Sequence, residues 1–172
     1  MSVASVRFKT SETCHAVGRT VDKGRRYRVW FGVDHAWFDA SHATNPRGLR
    51  ARDLGAVGII GGPFRRVIEA NYLQPVIEIR GSAQPWRIDS VHIDPLELEE
   101  QGPGLYAGVF TAPQSGELFI FPNDVVALGA PALFYTSRYG INSGSAQMTI
   151  ERLEEAPVTA IRPALMQAQA AP

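Results

Sequence analysis

The sequence predicts an all-β sandwich, and three observations carry that prediction. Apolar and polar residues alternate over several short stretches, turn-forming residues separate those stretches at short intervals, and no long amphipathic helical pattern appears. Together these features match a domain of two packed antiparallel sheets. Val6 to Phe8 opens the series as a short strand. Ala16 to Val21 and Arg25 to Phe31 flank Asp22-Lys23-Gly24, a tight-turn signal, and predict a hairpin; Tyr27, Val29 and Phe31 share its buried face. The segment from Asp39 to Arg66 is rich in Gly and Pro without sustained periodicity, so it is expected to be irregular. Gln74 to Gly81 is a strand with Pro75 near its start, where a missing N–H does least harm. Trp86-Arg87-Ile88 is a further candidate, Leu96 to Gln101 an acidic loop, and Gly104 to Phe110 an alternating strand. Pro113 to Gly116 then turns the chain into Glu117 to Phe121. The last strand, Ala146 to Arg152, alternates Ala146, Met148 and Ile150 with polar neighbours, and is expected to pair with Glu117 to Phe121 along one edge of the sandwich.

A chain of 172 residues suffices for one domain with a sizeable core. Residues 1–153 are read as that domain and 154–172 as an Ala/Pro-rich tail, in which Ile161, Leu165 and Met166 are the residues able to dock. Seventeen basic residues balance seventeen acidic ones, so the totals give no footprint for nucleic acid or an anionic membrane. The first residues, Met1 to Arg7, have no apolar run of the secretory type, and no run approaches the length of a bilayer span. The expectation is a cytoplasmic chain by default, without membrane insertion. A single cysteine, Cys14, excludes an internal disulfide and the usual cysteine zinc sites, and reads as a small half-buried apolar residue.

Chemistry concentrates in two loops, Pro122-Asn123-Asp124 and Tyr139-Gly140-Ile141-Asn142-Ser143-Gly144. Carboxylate, amide and carbonyl oxygens brought together in this way are what Ca²⁺ takes. The bland alternative has Asp124 capping a turn and Asn142 in a left-handed bend. Asp124 and Asn142 are expected to converge at one rim of the sandwich. His35, Asp39 and His42 offer three metal ligands within eight positions, but a loop fixes no geometry for them. Trp30, Trp37 and Trp86 are candidates for stacking on a sugar; Trp37 reads as core and Trp30, opposite the Tyr27 face, as the better exposed ring. No serine stands in a nucleophile elbow, and Gly58, Gly61 and Gly62 lack the Lys-Ser/Thr of a phosphate loop. Nothing in the sequence calls for an enzyme.

Gly24 before an alternating strand, Gly116-Glu117-Leu118-Phe119-Ile120, Asn123-Asp124, and the Tyr139 to Gly144 run before a final strand form a combination that resembles the calcium-dependent galactophilic bacterial lectins. The resemblance spans Val6 to Arg152 and is specific over the last third. It implies a galactose-binding-like β-sandwich, a jelly roll, with a C-terminal tail. By the same resemblance Asp124 matches the family's calcium-binding aspartate and Asn142 the second of its paired asparagines. The carbonyl of Arg138 would be a further metal ligand, and one more would come from Phe38 to Ser41, after Trp37. Ile141 stands where the family has its first asparagine, and the Asp124-to-Tyr139 loop is longer and carries Val125, Val126, Leu128, Leu133 and Phe134. The resemblance therefore implies a non-catalytic carbohydrate-binding module with a degenerate or weak Ca²⁺ site, in which Trp30, Trp37, Asp124 and Asn142 meet the sugar. The alternative is an assembly module that contacts another protein, or a second copy of itself in a homo-oligomer, through the apolar insertion.

Overall fold

The computed structural model describes residues 4–81, 91–125 and 141–154. Two antiparallel sheets face each other. The larger runs in the order β1 (Ala4–Lys9), β10 (Asn142–Arg152), β3 (Arg26–Asp39), β8 (Leu105–Thr111), β7 (Glu99–Gly102), with β4 (His42–Thr44) pairing on β3. The smaller runs β2 (His15–Val21), β9 (Gly116–Pro122), β5 (Pro75–Arg80), β6 (Val91–Pro95). Alternation places one face of each strand inward. Tyr27, Val29 and Phe31 of β3 and Ala146, Met148 and Ile150 of β10 meet Ile77 and Ile79 of β5 and Leu118 and Ile120 of β9 in one core. Phe8 anchors its aromatic end, edge-on to Phe31 at 5.3 Å and stacked on Trp37 at 5.4 Å. Each such side chain removed from water contributes about 1.5–3 kcal/mol, against the entropy of ordering it.

The all-β reading and the strands of β1, β3, β5, β8, β9 and β10 hold in the structure, but several connections differ from expectation. Glu117 to Phe121 and Ala146 to Arg152 do not pair: β9 lies between β2 and β5, whereas β10 lies between β1 and β3, in the other sheet. Alternation says which side chains share a face and leaves the neighbouring strand open. Ala16 to Val21 and Arg25 to Phe31 likewise form no hairpin. The turn at Asp22–Gly24 carries the chain from one sheet to the other, with Gly24 at φ 78° and its N–H bonded to Ala112 O at 2.7 Å. The acidic stretch ends in a strand, β7, whose Glu99 and Glu100 suit a solvated sheet edge. Cys14 is exposed rather than half-buried. Partial shielding of its sulfur still raises the thiol above its usual range; Arg80 and Arg66 oppose that and Glu78 adds to it.

The Asp39-to-Arg66 segment is more ordered than its composition suggests. A 3-10 turn, Ala51–Leu54, leads into α1 (Gly55–Gly61), followed by a second turn, Gly62–Phe64. Seven residues with three glycines are too few to display a helical period, which is why the sequence conceals α1. Residues 65–73 then cover the outer face of the smaller sheet, where Val67 and Ala70 pack on Val76 and Phe121. This explains why β5 and β9 are buried on both faces. Candidate strand 86–88 and the 155–172 part of the predicted tail lie outside the described residues. Among the described residues, no helix is long and apolar enough to cross a membrane.

Candidate functional site

One end of the sandwich gathers most of the chain's chemistry. Asp124 follows β9 and Asn142 begins β10, so the two come from different sheets. Asn142 Nδ2 donates to Asp124 Oδ2 at 2.7 Å, and the Val125 N–H donates to Asp124 Oδ1 at 2.6 Å. Both residues are buried, and Asn142 Oδ1 is buried without a hydrogen-bond partner. The expected convergence of these side chains is present. The amide, however, turns its nitrogen rather than its oxygen toward the carboxylate.

Asn123, beside this pair, is the local organiser. Its Nδ2 donates to Val67 O at 2.9 Å and to Ala70 O and Asn71 O at 3.1 Å each. Its Oδ1 accepts from Val67 N at 3.0 Å, and its carbonyl from Leu73 N at 2.7 Å. These bonds hold Leu73 at φ 61°, a left-handed conformation that costs a non-glycine residue about 1–3 kcal/mol. Sequence reasoning missed this role because an asparagine beside an aspartate reads first as a turn or a ligand.

Between this platform and α1 opens a cavity of about 570 Å³. Its walls are mostly apolar, from Val57, Ile60, Phe64 and Ile141, with Asp39, His42 and Asp124 as the polar groups. Asp39 and His42 face each other across the β3–β4 turn, while His35 lines a separate groove, so the predicted triplet divides. Among the described residues, no three His, Cys, Asp or Glu side chains come together to hold a metal. The separate groove, of about 560 Å³, is polar and includes Arg7, Lys9 and His35. Its cations are already engaged: Arg7 pairs with Asp34 at 3.3 Å and Lys9 with Glu12 at 2.9 Å. A hydrogen bond from Ser145 Oγ (2.6 Å), more than the Arg7 charge, lowers the Asp34 carboxyl below its ordinary value.

The helix α1 is seated by its glycines. A Cβ on Gly58 would stand 2.2 Å from Ala51 O, and one on Gly61 would stand 2.9 Å from Tyr72 Oη. Tyr72 Oη donates to Gly58 O at 2.7 Å. With small residues against the protein, the large ones are left in water: Val57 is 59% exposed, Ile59 63%, Ile60 71% and Phe64 49%.

Trp30 and Trp37 do not join this site. Trp37 is fully buried, its Nε1 bonded to Ser145 O at 3.2 Å, and so offers no ring face to a ligand. Trp30 is half-buried on the outer face of the larger sheet, held by Glu151 at 3.2 Å with Arg28 over its ring at 5.6 Å. Nine positions of β3 separate Trp30 from Asp39, roughly 30 Å of strand. Arg138, Trp86 and the apolar insertion beyond Val125, with Val126, Leu128, Leu133 and Phe134, lie outside the described residues. Toward a cation such as Ca²⁺, which takes six to eight oxygens, Asp124 offers a carboxylate that already accepts from Asn142 and Val125, and Asn142 offers one buried amide oxygen without a partner. Compared with known proteins, the chain matches no family model, no curated protein and no solved structure.

Proposed function

We propose that this chain is a non-catalytic docking module, an assembly β-sandwich that attaches to another surface through the apolar rim around α1. The observation that carries this reading is the exposure of Val57, Ile59, Ile60, Phe64 and Ile68 together on one short segment. Large apolar side chains left in water as a group mark a contact surface. The test is a triple variant, Ile59→Ser with Ile60→Ser and Phe64→Ser, compared with the wild type by light scattering over a range of concentrations and by retention on an octyl matrix. The wild type self-associates or is retained, and the variant does neither. Unchanged behaviour in both assays removes the reading.

The Asn142 oxygen lacking a partner beside Asp124 favours a second reading, a carbohydrate-binding module of the galactose-binding-like, jelly-roll kind. In it Asp124 and Asn142, with the Arg138 carbonyl, are what remains of a Ca²⁺ site, and calcium dependence is weak. A native-state ligand raises stability, so unfolding temperatures measured with Ca²⁺ and with EDTA differ if the ion binds. Identical temperatures, with a glycan array negative in both conditions, remove this reading and leave the docking one.

A further inference from the structure

The rim that carries the docking reading has a second property, which the neutral total charge conceals. Residues 46–69 hold five arginines, Arg47, Arg50, Arg52, Arg65 and Arg66, against two acids, Asp53 and Glu69. Asp39 and Asp124 line the cavity beneath α1, where Asp124 is bonded to Asn142 and Val125, and further carboxylates, among them Asp94, Glu97, Glu99 and Glu100, lie elsewhere in the chain. Between the two groups of arginines, residues 54–64 carry no charge at all. They form α1 and its following turn, with Ile59 and Ile60 the most exposed large apolar residues among those described. Arg50 and Arg52 sit on the turn that leads into α1 and share Asp53, at 3.0 and 4.0 Å. Arg47 makes no ion pair among the described residues, whereas Arg65 donates to the Gly62, Ile68 and Ala70 carbonyls and lies over the Tyr72 ring, and Arg66 donates to Thr13 O. A helix that is apolar all round normally lies inside a protein. This one is short and uncharged, exposes its large side chains, and in sequence is preceded by Arg47, Arg50 and Arg52 and followed by Arg65 and Arg66.

We infer that the α1 rim docks on an anionic lipid bilayer, with Val57, Ile59, Ile60 and Phe64 entering the headgroup boundary and the flanking arginines meeting lipid phosphates and carboxylates. The inference rests on the docking reading and names its partner. A hydrophobic protein surface would satisfy the apolar side chains but gives no reason for Arg47, Arg50 and Arg52 just ahead of them. An anionic bilayer satisfies both, because interfacial binding adds buried apolar area to attraction between basic groups and anionic headgroups.

The experiment is co-flotation of the full chain with vesicles of phosphatidylcholine alone and of phosphatidylcholine with phosphatidylserine. Binding is expected on the phosphatidylserine vesicles, roughly ten-fold stronger than on the neutral ones, and weakened by salt as surface electrostatics are. The Ile59→Ser, Ile60→Ser, Phe64→Ser variant floats with neither. An Arg47→Gln, Arg50→Gln, Arg52→Gln variant loses the preference for anionic vesicles. Equal melting temperatures show that these surface changes leave the fold intact. Absence of wild-type binding to phosphatidylserine vesicles at low salt overturns the inference. If self-association is then lost in the apolar variant, the docking reading stands with a second copy as the partner. If that variant changes neither flotation nor self-association, the docking reading falls as well.

Discussion

Two pairs of isoleucines close together in the sequence have opposite surroundings. Ile77 and Ile79, on β5, are 2% and 0% exposed, while Ile59 and Ile60, on α1, are 63% and 71% exposed. The difference arises from what each element presents to its support. The β5 strand has a layer on each side, the opposite sheet and the 65–73 segment, so both of its faces are covered. The α1 helix turns Gly58 and Gly61 toward the protein, and its branched side chains therefore point away. Burial here follows the contact face rather than hydrophobicity.

That contrast can be broken at several points. Truncating Ile79→Ala lowers stability by about 3 kcal/mol, the cost of a cavity in a closed core, whereas Ile60→Ala changes it by less than about 0.5 kcal/mol. Urea unfolding of both variants checks this, and similar midpoints would end the comparison. Next in size is Asn123→Ala, which removes the four bonds its side chain makes to the backbone of Val67, Ala70 and Asn71 and costs about 2–3 kcal/mol. Hydrogen exchange in that variant accelerates at the Val67 and Leu73 amides, while the core strands stay protected. A methyl added by Gly58→Ala drives into Ala51 O and lifts α1 from its seat, at about 1–2 kcal/mol. Its signature is faster exchange confined to the α1 region. The smallest effect concerns pH. Because the Asp34 carboxyl is lowered in the fold, its contribution is complete above the unfolded value and disappears as pH falls through the folded one. Ser145→Ala removes the main cause and returns the NMR titration midpoint of Asp34 toward 3.8.

The β class was legible because a period of two survives in Tyr27, Val29 and Phe31 and in Ala146, Met148 and Ile150. The pairing of strands was not legible. Leu118, Phe119, Ile120 and Phe121 describe a strand buried on both faces, but nothing local says that β2 and β5, rather than β10, lie beside it. At the site, the meeting of Asp124 and Asn142 was readable from two loops rich in Asx and Gly. The covering role of residues 65–73 was not, since it depends on one buried asparagine satisfying distant carbonyls. The charge asymmetry of the rim was present in the sequence but was averaged away by counting totals over the whole chain.

The bond between Asp124 and Asn142 has an evolutionary consequence. Each side chain meets a need of the other: loss of the amide takes from the buried Asp124 Oδ2 its Asn142 donor, and loss of the carboxylate strands a second buried group of the Asn142 amide. Neither position can drift alone without passing through a less stable intermediate. Descendants of a common ancestor should therefore retain both residues or replace both, and the two sites should mutate as a linked pair although seventeen positions intervene between them.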